Sequence, residues 1–127
     1  MTEPLFLLDS NIIIYILRDA SCLAAQHVQR CAVGSVATSA IVHGEVMRGV
    51  NMREPLQKPM AERFFALVPV LPFEMSAALR YAELPFRRGN FDRLIAAHAL
   101  ALDLTLVTNN EADFADIPDL RTENWTV

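Results

Sequence analysis

The sequence predicts an α/β fold, a three-layer α/β/α sandwich around a central, mostly parallel sheet of four to five strands. Two observations carry this expectation. Short continuous apolar runs, such as Leu5-Phe6-Leu7-Leu8 and Leu104-Thr105-Leu106-Val107, read as strands buried on both faces, as parallel strands are. Longer stretches with helical periodicity lie between them, and that alternation places helices on both faces of the sheet. The chain has 127 residues, 53% hydrophobic and 20% charged. That is the size of one domain, with enough apolar area to offset the entropy of ordering it.

The first strand, residues 5–8, ends in Asp9-Ser10-Asn11, and Ser10 or Asn11 is positioned to cap a helix through Ile16. Residues 21–32 form a second helix with Leu23, Val28 and Cys31 apolar. Gly34 supplies a turn into the strand Val36-Ala37-Thr38. Ser39 caps a helix that carries Ile41, Val42, Glu45 and Met47 and stops at Gly49. Pro55 and Pro59 mark a loop and a helix start, and residues 61–67 are helical. Residues 68–71 make a third strand, and 74–83 a helix ended by Pro85. After the polar break Arg87-Arg88-Gly89-Asn90, Asn90 caps the strongest helix, residues 91–102, with Phe91, Leu94, Ile95, Ala99 and Leu102 apolar. The strand 104–107 ends at Thr108-Asn109-Asn110. A short turn or helix reaches Phe114, and residues 120–123 make a final edge strand.

The net charge is −4, which excludes a uniformly basic nucleic-acid-binding surface. Ten of the eleven cations are arginine. Arg48, Arg53, Arg87, Arg88 and Arg93 gather in mid-chain, so nucleic acid would meet a local arginine patch, or a metal would screen the acids. No apolar run approaches the roughly 18 residues that span a bilayer. The start, Met1-Thr2-Glu3-Pro4, lacks the basic segment of a secretory signal, so a cytoplasmic protein is expected. Cys22 and Cys31 are separated by about 900° of helical rotation, which argues for buried, reduced thiols and against a bridge.

In parallel α/β folds ligands sit beyond the carboxyl ends of the strands. Four acids stand out: Asp9 and Asp113 after strands, Asp92 in the first turn of a helix, and Glu45 on a helix among Ile41, Val42, Val46 and Met47. Each alone has a plainer reading: helix capping for Asp9, the helix dipole for Asp92, a surface pair with Arg48 or Arg53 for Glu45, and general acidity of its region for Asp113. His43 and His98 read as packing or surface residues. Facing one cleft, the four acids would repel one another and need a cation. An all-oxygen donor set selects Mg²⁺ or Mn²⁺, and such a site suits phosphodiester cleavage.

Four segments together are similar to one family. They are Leu7-Leu8-Asp9-Ser10-Asn11-Ile12; residues 38–50, with Glu45 and Arg48; Asp92-Arg93-Leu94-Ile95-Ala96-Ala97-His98-Ala99-Leu100; and Leu106-Val107-Thr108-Asn109-Asn110-Glu111-Ala112-Asp113-Phe114. In order and spacing the chain resembles the PIN-domain ribonucleases, in particular the VapC-type toxins of toxin–antitoxin pairs. The closing Pro118-Asp119-Leu120-Arg121-Thr122-Glu123-Asn124-Trp125 is similar too.

The resemblance implies Mg²⁺- or Mn²⁺-dependent cleavage of structured RNA, often tRNA. It also implies a cognate antitoxin, homodimerisation and a higher toxin–antitoxin assembly. Asp9, Glu45 and Asp92 match the family's three firmest acids, and Thr108 its threonine near the attacking water. At the fourth position family members carry an acid either where this chain has Asn110 or where it has Asp113. The resemblance favours Asp113, with Asn110 orienting a ligand or water, and leaves one or two metals open. The arginines of the break at 87–90 would grip RNA or the antitoxin. A rival expectation is a non-catalytic PIN-like domain that only binds a partner, which the Asn109-Asn110 pair permits. A phosphoacceptor receiver would need a lysine at a strand end, and the sole lysine, Lys58, lies between prolines.

Overall fold

Leu7 and Leu8 are fully buried because the strand that carries them lies at the middle of the sheet. The computed structural model describes residues 3–86 and 91–127. The strands are β1 (Phe6–Leu8), β2 (Val36–Ser39), β3 (Val70–Leu71), β4 (Thr105–Val107) and β5 (Thr122–Glu123). They form one sheet in the order β3-β2-β1-β4-β5, and every neighbouring pair is parallel. The helices are α1 (Ser10–Arg18), α2 (Leu23–Arg30), α3 (Ala40–Arg53), α4 (Lys58–Leu67), α5 (Met75–Ala82) and α6 (Asp92–Ala101), with 3₁₀ turns at Pro55–Gln57 and Glu111–Phe114. This is the predicted α/β/α sandwich with the sheet at its centre. The edge strands β3 and β5 are only two residues long, which leaves little free edge for another chain to pair with.

β2 is buried throughout although it ends in Thr38 and Ser39. Both hydroxyls are satisfied, as buried polar groups must be. Thr38 Oγ1 donates to the Leu8 carbonyl at 2.8 Å. Ser39 Oγ accepts from Ile41 N at 3.1 Å, which caps α3, and lies 2.8 Å from His98 Nδ1. His98 is thus a packing residue, tying α6 to the β2–α3 junction, and burial pushes its imidazole pKa down.

Several expected boundaries move for identifiable reasons. α1 is capped by Asp9, whose carboxylate accepts from Ser10 N at 2.8 Å, and not by Ser10 or Asn11. It runs on to Arg18 because Leu17 is buried. α3 does not stop at Gly49. Val42, Val46 and Val50 make one buried stripe, and that burial outweighs the roughly 1 kcal/mol a helical glycine costs. The glycine turn before β2 is present, with Gly34 at φ 90°. Asn90, expected to cap α6, lies outside the described residues, as do Arg87 and Arg88. Phe91 occupies the cap position without a side-chain hydrogen bond, and Asp92 lies in the first turn. Phe91 and Leu102 are exposed and do not belong to the buried face of α6.

Two further expectations are corrected. Cys22 and Cys31 are free, but half-buried rather than buried. Arg93 does not belong to a surface arginine patch. It is only 4% exposed and reaches Asp116 through one amino group at 2.9 and 3.1 Å, holding the segment after β4 against α6. Arg48 and Arg53 are exposed. Among the described residues no helix is long and apolar enough to cross a membrane.

Candidate active site

The chain order reverses between β1 and β4: β2 and β3 lie on one side of that line, and β5 on the other. Strand ends at such a reversal diverge and leave a crevice. Asp9 follows β1 and Thr108 follows β4, and the register Leu8↔Val107 sets them side by side. The Asp9 backbone N–H donates to the Val107 carbonyl at 2.9 Å. The Thr108 hydroxyl donates to Asp9 Oδ2 at 2.9 Å, while Ser10 N donates to Oδ1. Asn110 N donates back to Thr108 Oγ1 at 3.1 Å, and the Asn110 side-chain amide donates to Asp113 Oδ2. One hydrogen-bonded chain therefore joins Asp9, Thr108, Asn110 and Asp113.

Glu45 enters from α3. Its carboxyl is pushed from an ordinary 4.5 to about 7, first by burial and then by the charges of Asp9 and Asp92, with a contact to the Ser10 side chain opposing. Its Oε1 is buried with no hydrogen-bond partner among the described residues. Burial also raises the Asp9 carboxyl, against the hydrogen bonds from Ser10 and Thr108. Asp9, Glu45 and Asp92 thus share one electrostatic neighbourhood. Asp113 is not among the charges that act on Glu45, and connects to the others through Asn110 and Thr108.

Among the described residues no three His, Cys, Asp or Glu side chains converge into a ready-made metal cage. Mg²⁺ does not require one, since it takes one or two carboxylates and keeps several waters. Two raised carboxylates and an unpartnered buried oxygen fit a hard cation of that kind.

Part of this surround has no local signature in the sequence. Ser10, considered only as a cap, touches Asp9 and acts on Glu45. Asn109 donates to the Tyr15 hydroxyl at 2.9 Å and accepts from Asn11, closing the far wall. No local spacing links residues so distant along the chain. The position of Asn11 beside Asp9 and of Asn109 beside Thr108 was the available signal.

Thr108→Val tests the support of Asp9. Valine keeps the shape but can neither donate to Asp9 nor accept from Asn110 N. We expect a loss of about 1–3 kcal/mol of stability and a further rise of the Asp9 pKa, with Thr108→Ser restoring both. Denaturant unfolding and pH titration read them out, and an unchanged unfolding midpoint in the valine variant would count against this assignment.

The chain was compared with known proteins. Residues 6–120 match the family model described as PIN domain. The chain is 30% identical to "Ribonuclease VapC2" of Rickettsia felis, over 95% of this chain and 98% of that protein. It is 27% identical to "tRNA(fMet)-specific endonuclease VapC" of Shigella flexneri, again over 95% and 98%. Among solved structures it superposes with a TM-score of 0.84 and 28% identity on a chain of VapBC2 from Rickettsia felis bound to a promoter DNA fragment, covering 95% of this chain and 98% of that one.

Proposed function

The chain belongs to the PIN domain family, and from that premise we propose that it is a metal-dependent endoribonuclease, the toxin of a type II toxin–antitoxin pair, which cleaves structured RNA, with tRNA as the leading substrate, to arrest translation. The observation that carries the reading is the Glu45 carboxyl, held near neutrality beside Asp9 and Asp92 with one buried oxygen unpartnered. The ribonuclease and endonuclease names of its relatives support the activity. The VapBC2 complex to which it is structurally similar supports a cognate antitoxin as partner, and a homodimer belongs to the same proposal.

Asp9, Glu45, Asp92 and Asp113 would hold Mg²⁺ or Mn²⁺, directly or through water. When bound, the cation supplies charge neutralisation at phosphorus and an acidified water. The chain's own groups do the rest. Thr108 and Ser10 fix the orientation of Asp9 by donating to its two oxygens. Asn110 fixes Asp113 in the same way. Glu45 would complete the site or act as general base on the water, and its buried, unpartnered Oε1 is the atom available for either role.

The test is a cleavage assay with purified, partner-free protein and total tRNA, in Mg²⁺ or Mn²⁺ and in EDTA. Discrete fragments that vanish in EDTA are expected. Intact RNA of every class at saturating Mn²⁺ would overturn the catalytic reading in favour of a domain that only binds its partner.

A further inference from the structure

Phe91 directly precedes Asp92 and is 51% exposed. It makes no side-chain cap for α6 and stands outside the core cluster. With Ala40, Ile41, Gly44, Glu45 and Arg48 it lines an open groove of about 480 Å³. The floor is unusual for a helix. Gly44 lies in the interior of α3, where glycine costs about fivefold in helix stability against alanine. A Cβ built there would meet nothing within 4 Å. Packing therefore gives no reason for glycine at this position, and its effect is to keep the floor of the groove flat and open.

Glu45 and Arg48 also line a second groove, of about 380 Å³, with Ser10, Asn11, Met52 and Arg53. The two grooves thus share a site carboxylate, Glu45, and Arg48. Arg48 serves both, and among the described residues neither Arg48 nor Arg53 makes an ion pair. An acidic centre flanked by unpaired guanidinium groups and one exposed ring matches a single strand of RNA, whose phosphates need cations and whose bases need a flat apolar face.

We propose that the Ala40–Ile41–Gly44 shelf and Phe91 form a nucleobase pocket, in which Phe91 stacks on a base next to the scissile phosphate while Arg48 neutralises a neighbouring phosphate. This rests on the ribonuclease reading and names how that site grips its substrate. The ring makes the pocket tolerant of base identity, because every base presents a π-face. Phe91 and Arg48 are binding groups, and the proton chemistry stays with Glu45.

The test uses fluorescence and kinetics together. The only native tryptophan, Trp125, is 4% exposed and packed against Phe6 and His27, so Phe91→Trp introduces a solvent-facing reporter. It is made in an Asp9→Asn background and titrated with a labelled oligoadenylate about a dozen nucleotides long, or with inorganic polyphosphate. Anisotropy of the label reports binding independently. Quenching by the oligoadenylate, and none by polyphosphate, is expected. In the otherwise native chain, Phe91→Ala should raise KM for tRNA about tenfold with kcat nearly kept, Phe91→Trp should restore it, and Phe91→Leu should not. Arg48→Ala should reduce the salt dependence of binding by about one phosphate contact. RNA binding without quenching, or an unchanged KM in Phe91→Ala, rejects the nucleobase pocket and leaves the ribonuclease reading standing. A folded native chain that neither binds nor cuts RNA rejects both.

Discussion

Asp9→Asn is expected to lower RNA cleavage by at least about 10³-fold while the melting temperature stays within a few degrees of the native value. The two halves of this expectation have different origins. Asparagine keeps an oxygen that accepts from Ser10 N, so the cap of α1 survives. Its amide nitrogen faces the Thr108 hydroxyl, which reverses from donor to acceptor at no steric cost. The carboxylate charge, however, is gone, and with it one of the groups that would hold the cation. The several kcal/mol of transition-state stabilisation that a metal supplies correspond to about three orders of magnitude in rate. Asp9→Ala makes the informative contrast: it removes the cap acceptor as well, at about 1 kcal/mol, and leaves the Thr108 hydroxyl without its acceptor. Cleavage assays and thermal melts on the three proteins separate charge from scaffold. A fully active Asp9→Asn would sink the assignment of Asp9 to the catalytic centre.

The stability that Glu45 contributes to the metal-free protein, read as the difference between the native chain and Glu45→Gln, should be larger at about pH 5 than at about pH 8. Glu45 holds its proton to about 7 in the folded chain against 4.5 when free. Between those values the folded state binds more protons than the unfolded one, so the stabilisation is complete below the lower value and lost as pH rises through the upper. The shift of Asp9 has the same sign. Asp19, held down by Ser21, titrates below this window, while His27 and His98, lowered by burial, act in the opposite sense and cancel in the comparison with Glu45→Gln. Allowing for the screening of a half-buried carboxyl, the loss is about 1–2 kcal/mol. Mg²⁺ or Mn²⁺ should cancel or invert it, because the cation takes the ionised form and displaces the proton. Cleavage should rise over the same interval. Urea midpoints at the two pH values, with and without the cation, decide the matter. A difference between the native chain and Glu45→Gln that does not change with pH in the metal-free proteins would show that Glu45 and Asp9 do not crowd each other in solution.

The parts of the fold visible in the sequence are those whose physics is local. A strand buried on both faces must be a run of apolar residues, so residues 5–8 and 104–107 announce β1 and β4, and the polar residue after each run marks the site. Asp92 heads a helix because an acid suits a helix start. What was not visible depends on partners distant in the chain. Arg93 counts as one more surface cation until Asp116, 23 residues on, pairs with it. Phe91 fits the helical apolar pattern, and only the packing of α6 shows that it faces outward. Gly49 looks like a stop because nothing nearby reveals that Val46 and Val50 are both buried. Three adjacent residues, Asp9, Ser10 and Asn11, can each cap a helix, and only the end of β1 selects Asp9.

The hydrogen bond from Thr108 to Asp9 closes a separation of 99 residues. A chain growing from its N-terminus at about 5–20 residues per second carries Asp9 and Glu45 for seconds before Asp92 exists, and longer still before β4 docks beside β1 and Thr108 can fix the carboxylate. Every nascent chain that stops short of β4 holds the carboxylates without their full support. The order in which the polypeptide is made therefore acts as a delay, with the site left unassembled until the strand that follows α6 has been made.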